Sequence, residues 1–218
     1  MTDTGTKTGA GPGTGSRTAD AARGHSTATL YEASSSYARA CDPVLRAVWS
    51  GARVAGPAFT VQGVGGDNLA LHRAVVEAPA GSVLVVDLQG AAHGHWGEIL
   101  AVAAQQRGLL GLVVDGGVRD VAEQAELGFP VFAPHVTVVG TGKEHPGVFG
   151  APVRVGGVVV RAGDLVVGDA DGVVVVPAAA VASTLDASDA RVADERRALA
   201  AIRSGVTTLD LYGLGEQA

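Results

Sequence analysis

The stretch Gly108–Glu123, GLLGLVVDGGVRDVAE, decides how the chain is read. A short apolar run bounded by glycines, Gly108 at one side and Gly116-Gly117 at the other, is the pattern of a buried strand. It ends on Asp115 and delivers Arg119 and Asp120 to the start of the next segment, RDVAEQAELG, a short helix with Gly128 at its end. In open α/β sheets, ligands bind beyond the carboxyl ends of the strands. Neighbouring side chains on a helix diverge by about 100°, but at a helix start both can reach one site beyond the terminus. Asp120 can offer an oxygen to a hard divalent cation, and Arg119 can offer a planar donor fork to a carboxylate or enolate oxygen. The same pair also suits an acid complementing the helix dipole beside a solvated arginine. Pattern alone leaves both readings open.

The segments on either side share this grammar. HWGEILAVAAQQRG predicts a helix opening at Gly97 and closing at Gly108. Its first amides, those of Ile99 and Leu100, lack intrahelical partners and can hold an anion, with Glu98 beside them; an ordinary capped helix reads the same way. GSVLVVDLQG is a second buried strand, and GGDNLALHRAVVEAP is an amphipathic helix with an N-cap at Asp67 or Asn68. ARVAGPAFTVQGV reads as a strand with a Gly-Pro break. LYEASSSYARACDPVLRAVW has helical spacing interrupted at Pro43. FPVFAP and HVTVVG read as short strands. From Ala151 to Pro177 the valine-rich segments between Gly-Gly, Gly-Asp and Asp-Gly predict a meander of strands. A long charged helix follows. With βα units first and a meander second, the fold class is α/β with more than one sheet layer.

Composition removes several function classes. Apolar residues make up 47% and charged residues 17% of 218 residues, which is the balance of a globular chain. The net charge of −6 gives no broad attraction for nucleic acid. No apolar run approaches the roughly 20 residues of a membrane helix. The single cysteine, Cys41, fits a reducing, cytoplasmic setting and reads as a small buried residue rather than a nucleophile. Residues 1–28 are rich in Gly, Thr and Ser and predict a disordered, dispensable tail. There are two lysines, Lys7 and Lys143. A Schiff-base mechanism would therefore rest on Lys143, in the loop GTGKEHPG rather than in an apolar pocket. The histidines of HGHW, His93 and His95, lack the further partners of a zinc site, and a substrate-facing role for them stays open. GDADG, with Asp169 and Asp171, lacks the remaining EF-hand spacing and reads as a strand turn. GVGG lacks the lysine of a phosphate loop.

Taken together, Gly97-Glu98, Arg107-Gly108, Asp115-Gly116, Arg119-Asp120 and Glu123 closely resemble the RraA-like family, which includes the 4-hydroxy-4-methyl-2-oxoglutarate/4-carboxy-4-hydroxy-2-oxoadipate aldolases. VAGPAFTV, the GDN of Gly66–Asn68, FPVFA, PVRVGGVVV and GDADGVVVVP extend the resemblance over roughly Thr29 to Glu195. Ala162 and Ser82 depart from it where the family often has proline and aspartate. The Arg-Asp block marks the superfamily and not one substrate. The resemblance implies a single compact β/β/α swivelling-type domain over residues 29–185, with a C-terminal helical segment, residues 186–218, in oligomer contacts. It implies homotrimers or homohexamers with sites between subunits. Pyruvate's carboxylate would lie on the amides of Ile99 and Leu100 beside Gly97, and Arg119 would contact its keto oxygen. Asp120 would hold Mg²⁺ or Mn²⁺, mostly through waters. Glu98 would orient one of those waters, and a neighbouring subunit's C-terminal glutamate, here Glu195, would tune it. The implied activity is metal-dependent (class II) retro-aldol cleavage of a 4-hydroxy-2-oxo acid. The alternatives are oxaloacetate decarboxylation through the same pyruvate enolate, or another specialised-pathway 2-oxo-acid lyase. A non-catalytic regulator of an RNA-degrading enzyme, acting by protein contact, is the alternative outside enzymology; it would not need the complete metal and carboxylate constellation. Enolate stabilisation without a Schiff-base lysine requires a metal and a fixed cation. Arg119 and Asp120 would supply both.

Overall fold

The computed structural model describes residues 20–215. In chain order its elements are α1 (Thr27–Ala33), β1 (Arg39–Ala40), β2 (Arg46–Ala47), β3 (Val54–Gln62), α2 (Leu69–Glu77), β4 (Val83–Trp96), α3 (Glu98–Gln106), β5 (Gly111–Val118), α4 (Val121–Leu127), β6 (Val131–Ala133), β7 (His135–Val136) and β8 (Val148–Phe149). The second half adds β9 (Val153–Val155), β10 (Val158–Val160), β11 (Leu165–Asp169), β12 (Gly172–Val176), α5 (Val181–Arg203) and α6 (Thr208–Leu211).

β3 is the hinge of the architecture. Its first half, Val54–Pro57, pairs antiparallel with β11, and its second half, Ala58–Gln62, pairs parallel with β4. The parallel run continues through β5 to β6, while β11, β12 and β1 form the antiparallel arm. Side-chain alternation then makes layers. On β4, Leu84, Val86 and Leu88 pack with Leu71, Ala74, Leu100 and Ala104 of α2 and α3. Val83 and Val85 point the other way, meeting Val166, Val173 and Val175 of the antiparallel arm. The opposite face of that arm, Leu165, Val167, Val174 and Val176, is covered by Leu30 of α1 and Val181 of α5. The order is helix, sheet, sheet, helix. Strands buried on both faces read as continuous apolar runs, which is why VLVV and GLVV carry no polar alternation.

Four expectations are corrected. Residues 20–28 are folded. Ala22 is fully buried, Ser26 caps α1 by accepting from the Thr29 amide at 3.1 Å, and Thr27 donates from its amide and hydroxyl to Asp169 at 2.9 and 2.7 Å. The rest of the expected tail, residues 1–19, lies outside the described residues. The helical pattern starting at Leu30 stops at Ser34, and the chain then runs through β1 and β2 on either side of the Asp42-Pro43 turn, where Asp42 Oδ1 accepts from the Val44 amide. The strand read over GSVLVVDLQG does not end at Gly90: β4 continues irregularly through HGHW to Trp96, with register shifts between Asp87 and Ala91 and between Ala91 and Trp96. Arg119 and Asp120 precede α4 rather than opening it, and Asp120 is in the left-handed region at φ 55, ψ 47.

Candidate active site

The exits of β4 and β5 converge. Arg119 leaves β5 with its amide donating to Trp96 O at 2.8 Å, which ties the two strand ends together. Gln124 of α4, fully buried, donates through Nε2 to Arg119 O. Asp120 is thus held between two fixed points in a conformation that costs a non-glycine residue on the order of 1 kcal/mol, and its carboxylate folds back onto the next helix. Asp120 Oδ2 accepts from the Glu98 amide at 3.1 Å and lies 3.5 Å from Arg119 Nε.

Gly97 makes this approach possible. A Cβ there would stand 2.2 Å from Asp120 Oδ2 and 3.1 Å from Arg119 Cγ. Gly94 does the same for the arginine stem, where a Cβ would lie 3.0 Å from Arg119 Cδ. Gly97, which the sequence pattern singled out, and Gly94, which it did not, therefore provide space for the Arg-Asp pair. Behind it, α3 begins at Glu98, and among the described residues the amides of Ile99 and Leu100 have no acceptor. These donors, the Arg119 guanidinium and the Asp120 carboxylate line one cavity of about 120 Å³. Arg119 and Asp120 also line a second, more open cleft of about 390 Å³ walled by Val136, Thr137 and Val138.

Three groups that the sequence reading left out of the site also line the smaller cavity: Asn68, His72 and Lys143. Lys143 arrives because Asp67 gathers its loop. Asp67 accepts from the amides of Glu144 at 2.6 Å and His145 at 3.2 Å, as well as from Leu69 at 3.0 Å. Burial pushes the Asp67 carboxyl upward, but the amides of Glu144, Leu69 and His145 outweigh it and hold it below the usual range. His72 is held below the usual imidazole range by burial and by the positive charge of Lys143. The signal in the sequence was the strand-end rule itself: the β3–α2 connection is also a strand exit of the parallel sheet.

His95 is fully buried beneath the cavity. Its Nε2 accepts from the Gly66 amide at 2.9 Å, so Nδ1 carries the proton and donates to Gly117 O at 3.2 Å. Its carbonyl accepts from Asn68 Nδ2 at 3.0 Å. Burial is the main cause holding this imidazole below its usual range, opposed by its bond to Gly117. His95 thus staples the β3–α2 loop, β4 and β5 around the cavity as a neutral ring.

Of the residues expected at the site, Gly97, Ile99, Leu100, Arg119 and Asp120 meet at one cavity. Glu98 meets Asp120 through its backbone, and its side chain is exposed rather than part of the lining. Glu195 is elsewhere in the chain, paired with Arg191 at 3.0 Å on α5. Asp115 lies on the other sheet face. Burial raises its carboxyl, and neighbouring Asp87 raises it further. Cys41 is buried and its thiol is pushed up to about 12 by burial, which fits an inert core position. Asp169 and Asp171 form the β11–β12 turn, Asp171 N donating to Asp169 Oδ1. No group of three or more His, Cys, Asp or Glu side chains that could hold a metal occurs among the described residues.

The layered fold, with an Arg-Asp pair beside helix-terminal amides at parallel strand ends, is that of an α/β protein with its candidate site at the strand exits. The profile of the RraA-like family, Aldolase/RraA, matches residues 27–175, and the chain belongs to that family. A protein of Halalkalibacterium halodurans named "Putative 4-hydroxy-4-methyl-2-oxoglutarate aldolase" is 38% identical over 161 residues, covering 73% of this chain and 77% of that one. Among solved structures, Streptomyces coelicolor RraAS2, described as an unusual member of the RNase ES inhibitor RraA protein family, superposes with a TM-score of 0.74 at 29% identity, covering 84% of this chain and 95% of that one. The RNA-processing inhibitor RraA from Thermus thermophilis gives 0.62 at 32% identity, covering 68% and 92%. No helix among the described residues is long and apolar enough to cross a membrane.

Proposed function

We propose that this protein is a divalent-metal-assisted carbon-carbon lyase that cleaves a 4-hydroxy-2-oxo acid through a pyruvate enolate. The observation carrying the reading is the convergence of the Arg119 guanidinium, the Asp120 carboxylate and the unpaired α3 amides on one cavity. In this reading the amides of Ile99 and Leu100 receive the substrate carboxylate, aided by the helix dipole. The Arg119 fork lies against the 2-oxo oxygen and stabilises the negative charge that grows there as the C3–C4 bond breaks. Gly97 and Gly94 keep that fork and the acid in register.

The donor set fits a hard cation. Asp120 Oδ2 is engaged by the Glu98 amide, whereas Oδ1 accepts no hydrogen bond from the described residues, and the residue lines the cavity. A single carboxylate oxygen is the protein contribution expected where Mg²⁺ or Mn²⁺ keeps most of its waters. When bound, the ion would supply Lewis-acid polarisation of the 2-oxo group. Glu98 stands at the edge of this centre. Glu195, from the C-terminal helix of a neighbouring chain in a trimer or hexamer, is the proposed second acid. Supporting an assembly, Ile99 (76% exposed), Val136 and Val138 (93%) present apolar surface at the mouth of the site, and Leu199 and Leu209 do so on the C-terminal helices, with Val206 between them.

The test is a panel of 4-hydroxy-2-oxo acids and oxaloacetate, with pyruvate formation followed in Mg²⁺, in Mn²⁺ and after exhaustive chelation. Activity restored by metal is expected. Chelator-resistant activity trapped by borohydride would overturn the metal reading and move the chemistry to Lys143. The likeness to the RNA-processing inhibitor RraA and to a member of the RNase ES inhibitor RraA family favours a second reading, regulation by protein contact. It predicts no turnover on any member of the panel.

A further inference from the structure

We propose that a cavity remote from the Arg119-Asp120 pair, between β1, the β9–β10 hairpin and β12, is a binding site for a small phosphomonoester carried on a flat ring, the chemistry of a nucleoside monophosphate. The cavity, about 390 Å³, is lined by Arg39, Arg154 and Arg161 together with Tyr37, Asp164 and Val175. None of the three arginines has a carboxylate partner among the described residues. The chain as a whole carries a net charge of −6, so three uncompensated guanidinium groups on one concavity stand against its general field.

Two of the guanidinium groups are positioned without being neutralised. Arg39 Nη1 donates to Ala38 O at 2.9 Å and to Ser36 O at 3.3 Å. Arg154 Nη1 donates to Gly157 O at 2.8 Å across the β9–β10 turn. Carbonyl partners fix such a group while leaving its charge and its remaining N–H donors for an anion. The Arg161 side chain has no hydrogen bond to the described residues and is free to close on a ligand. Asp164 offsets only part of this field, and its buried carboxylate is held by the amides of Arg161 at 2.9 Å and Ala178 at 3.1 Å rather than by a guanidinium. Three cations against one acid leave two positive charges, the match for a phosphomonoester dianion, whose oxygens suit planar bidentate forks. The Tyr37 ring, 56% exposed, lines the same cavity beside the forks and is the aromatic surface that a ligand's flat ring would stack on. The volume lies within the range of small-molecule sites.

Calorimetric titration of the full-length protein at low salt, with adenosine 5′-monophosphate, inorganic phosphate and adenosine as probes, tests the assignment. The monophosphate is expected to bind saturably, at least tenfold more tightly than phosphate, with adenosine showing no binding. The Arg154→Ala/Arg161→Ala double variant should lose about 30-fold in affinity, and Arg154→Lys/Arg161→Lys should recover only part of it. An Asp120→Asn variant should bind the monophosphate like the wild type, which separates this site from the active-site cavity. Absence of saturable binding up to several millimolar, or equal binding by the double alanine variant, would overturn the proposal. So would a double variant whose oligomeric state changes while the wild type binds no anion, which would assign the arginines to a subunit contact.

Discussion

Gly97→Ala is the most direct probe of the site because it needs no knowledge of the substrate. The Gly97 backbone, φ −152 and ψ −167, is extended and open to any residue, so the requirement for glycine is steric. The added Cβ would lie 2.2 Å from Asp120 Oδ2, against the 3.0 Å that Cβ contacts essentially never undercut, a shortfall of about 0.8 Å. With its backbone left-handed and pinned through Arg119 by Trp96 O and Gln124, the carboxylate can yield only by swinging off the α3 terminus. Moving it breaks the bond from the Glu98 amide, a charge-assisted contact contributing about 1.5–3 kcal/mol, and residual overpacking costs about 1–3 kcal/mol. We expect a loss near 3 kcal/mol, which in a chain of this length lowers Tm by roughly 6–12 °C. A displacement approaching 1 Å should also reduce turnover about a hundredfold. The decisive measurement is a double-mutant cycle by denaturant unfolding. In an Asp120→Gly background the carboxylate is gone, and Gly97→Ala should cost less than about 1 kcal/mol, a coupling of at least about 2 kcal/mol. Costs additive within about 0.5 kcal/mol would refute the packing argument.

Arg119→Lys should lower kcat about a hundredfold while Tm holds, because a point charge cannot replace the fork; near-normal turnover at saturating metal would remove Arg119 from the chemistry. Asp120→Asn should first weaken metal affinity, read as a rightward shift of the Mn²⁺ activation curve with partial rescue at high Mn²⁺, and an unshifted curve would place the ion elsewhere. The neutral His95 staple makes stability pH-dependent. Its folded value lies below the ordinary 6.5 or so, so the contribution is complete above that value and is lost as pH falls below it, where the unfolded chain takes up the proton first. Urea midpoints should therefore decline as pH falls below about 6.5, with half-buried His72 adding in the same direction. His95→Gln should flatten most of the decline, and an unchanged slope would show that the ring is not what titrates.

What could be read in the sequence, and what could not, divides along a physical line. Element ends written in local chemistry were legible: Gly97 before α3 and the left-handed Gly128 after α4 sit where the pattern put them, and the apolar runs of β4 and β5 announced strands buried on both faces. The Arg119-Asp120 pair was legible as a strand-exit feature, but its conformation was not. Only the tertiary fit of the carboxylate over Gly97 favours a left-handed aspartate. His72 and Lys143 escaped because their meeting depends on Asp67 catching amides 77 and 78 residues away, a contact with no local signature. The polar segment at residues 26–28 read as tail for the same reason, since Thr27 is buried against Asp169, 142 residues further on. Glu195 is the limiting case. Its partner within the chain is Arg191, so a role at the active site requires a second copy. In the proposed reading, the exposed apolar residues Ile99, Val136 and Val138 at the mouth of the site are the surface that a second copy would cover. The parts of the site that escaped a linear reading are therefore those held by partners distant in the sequence.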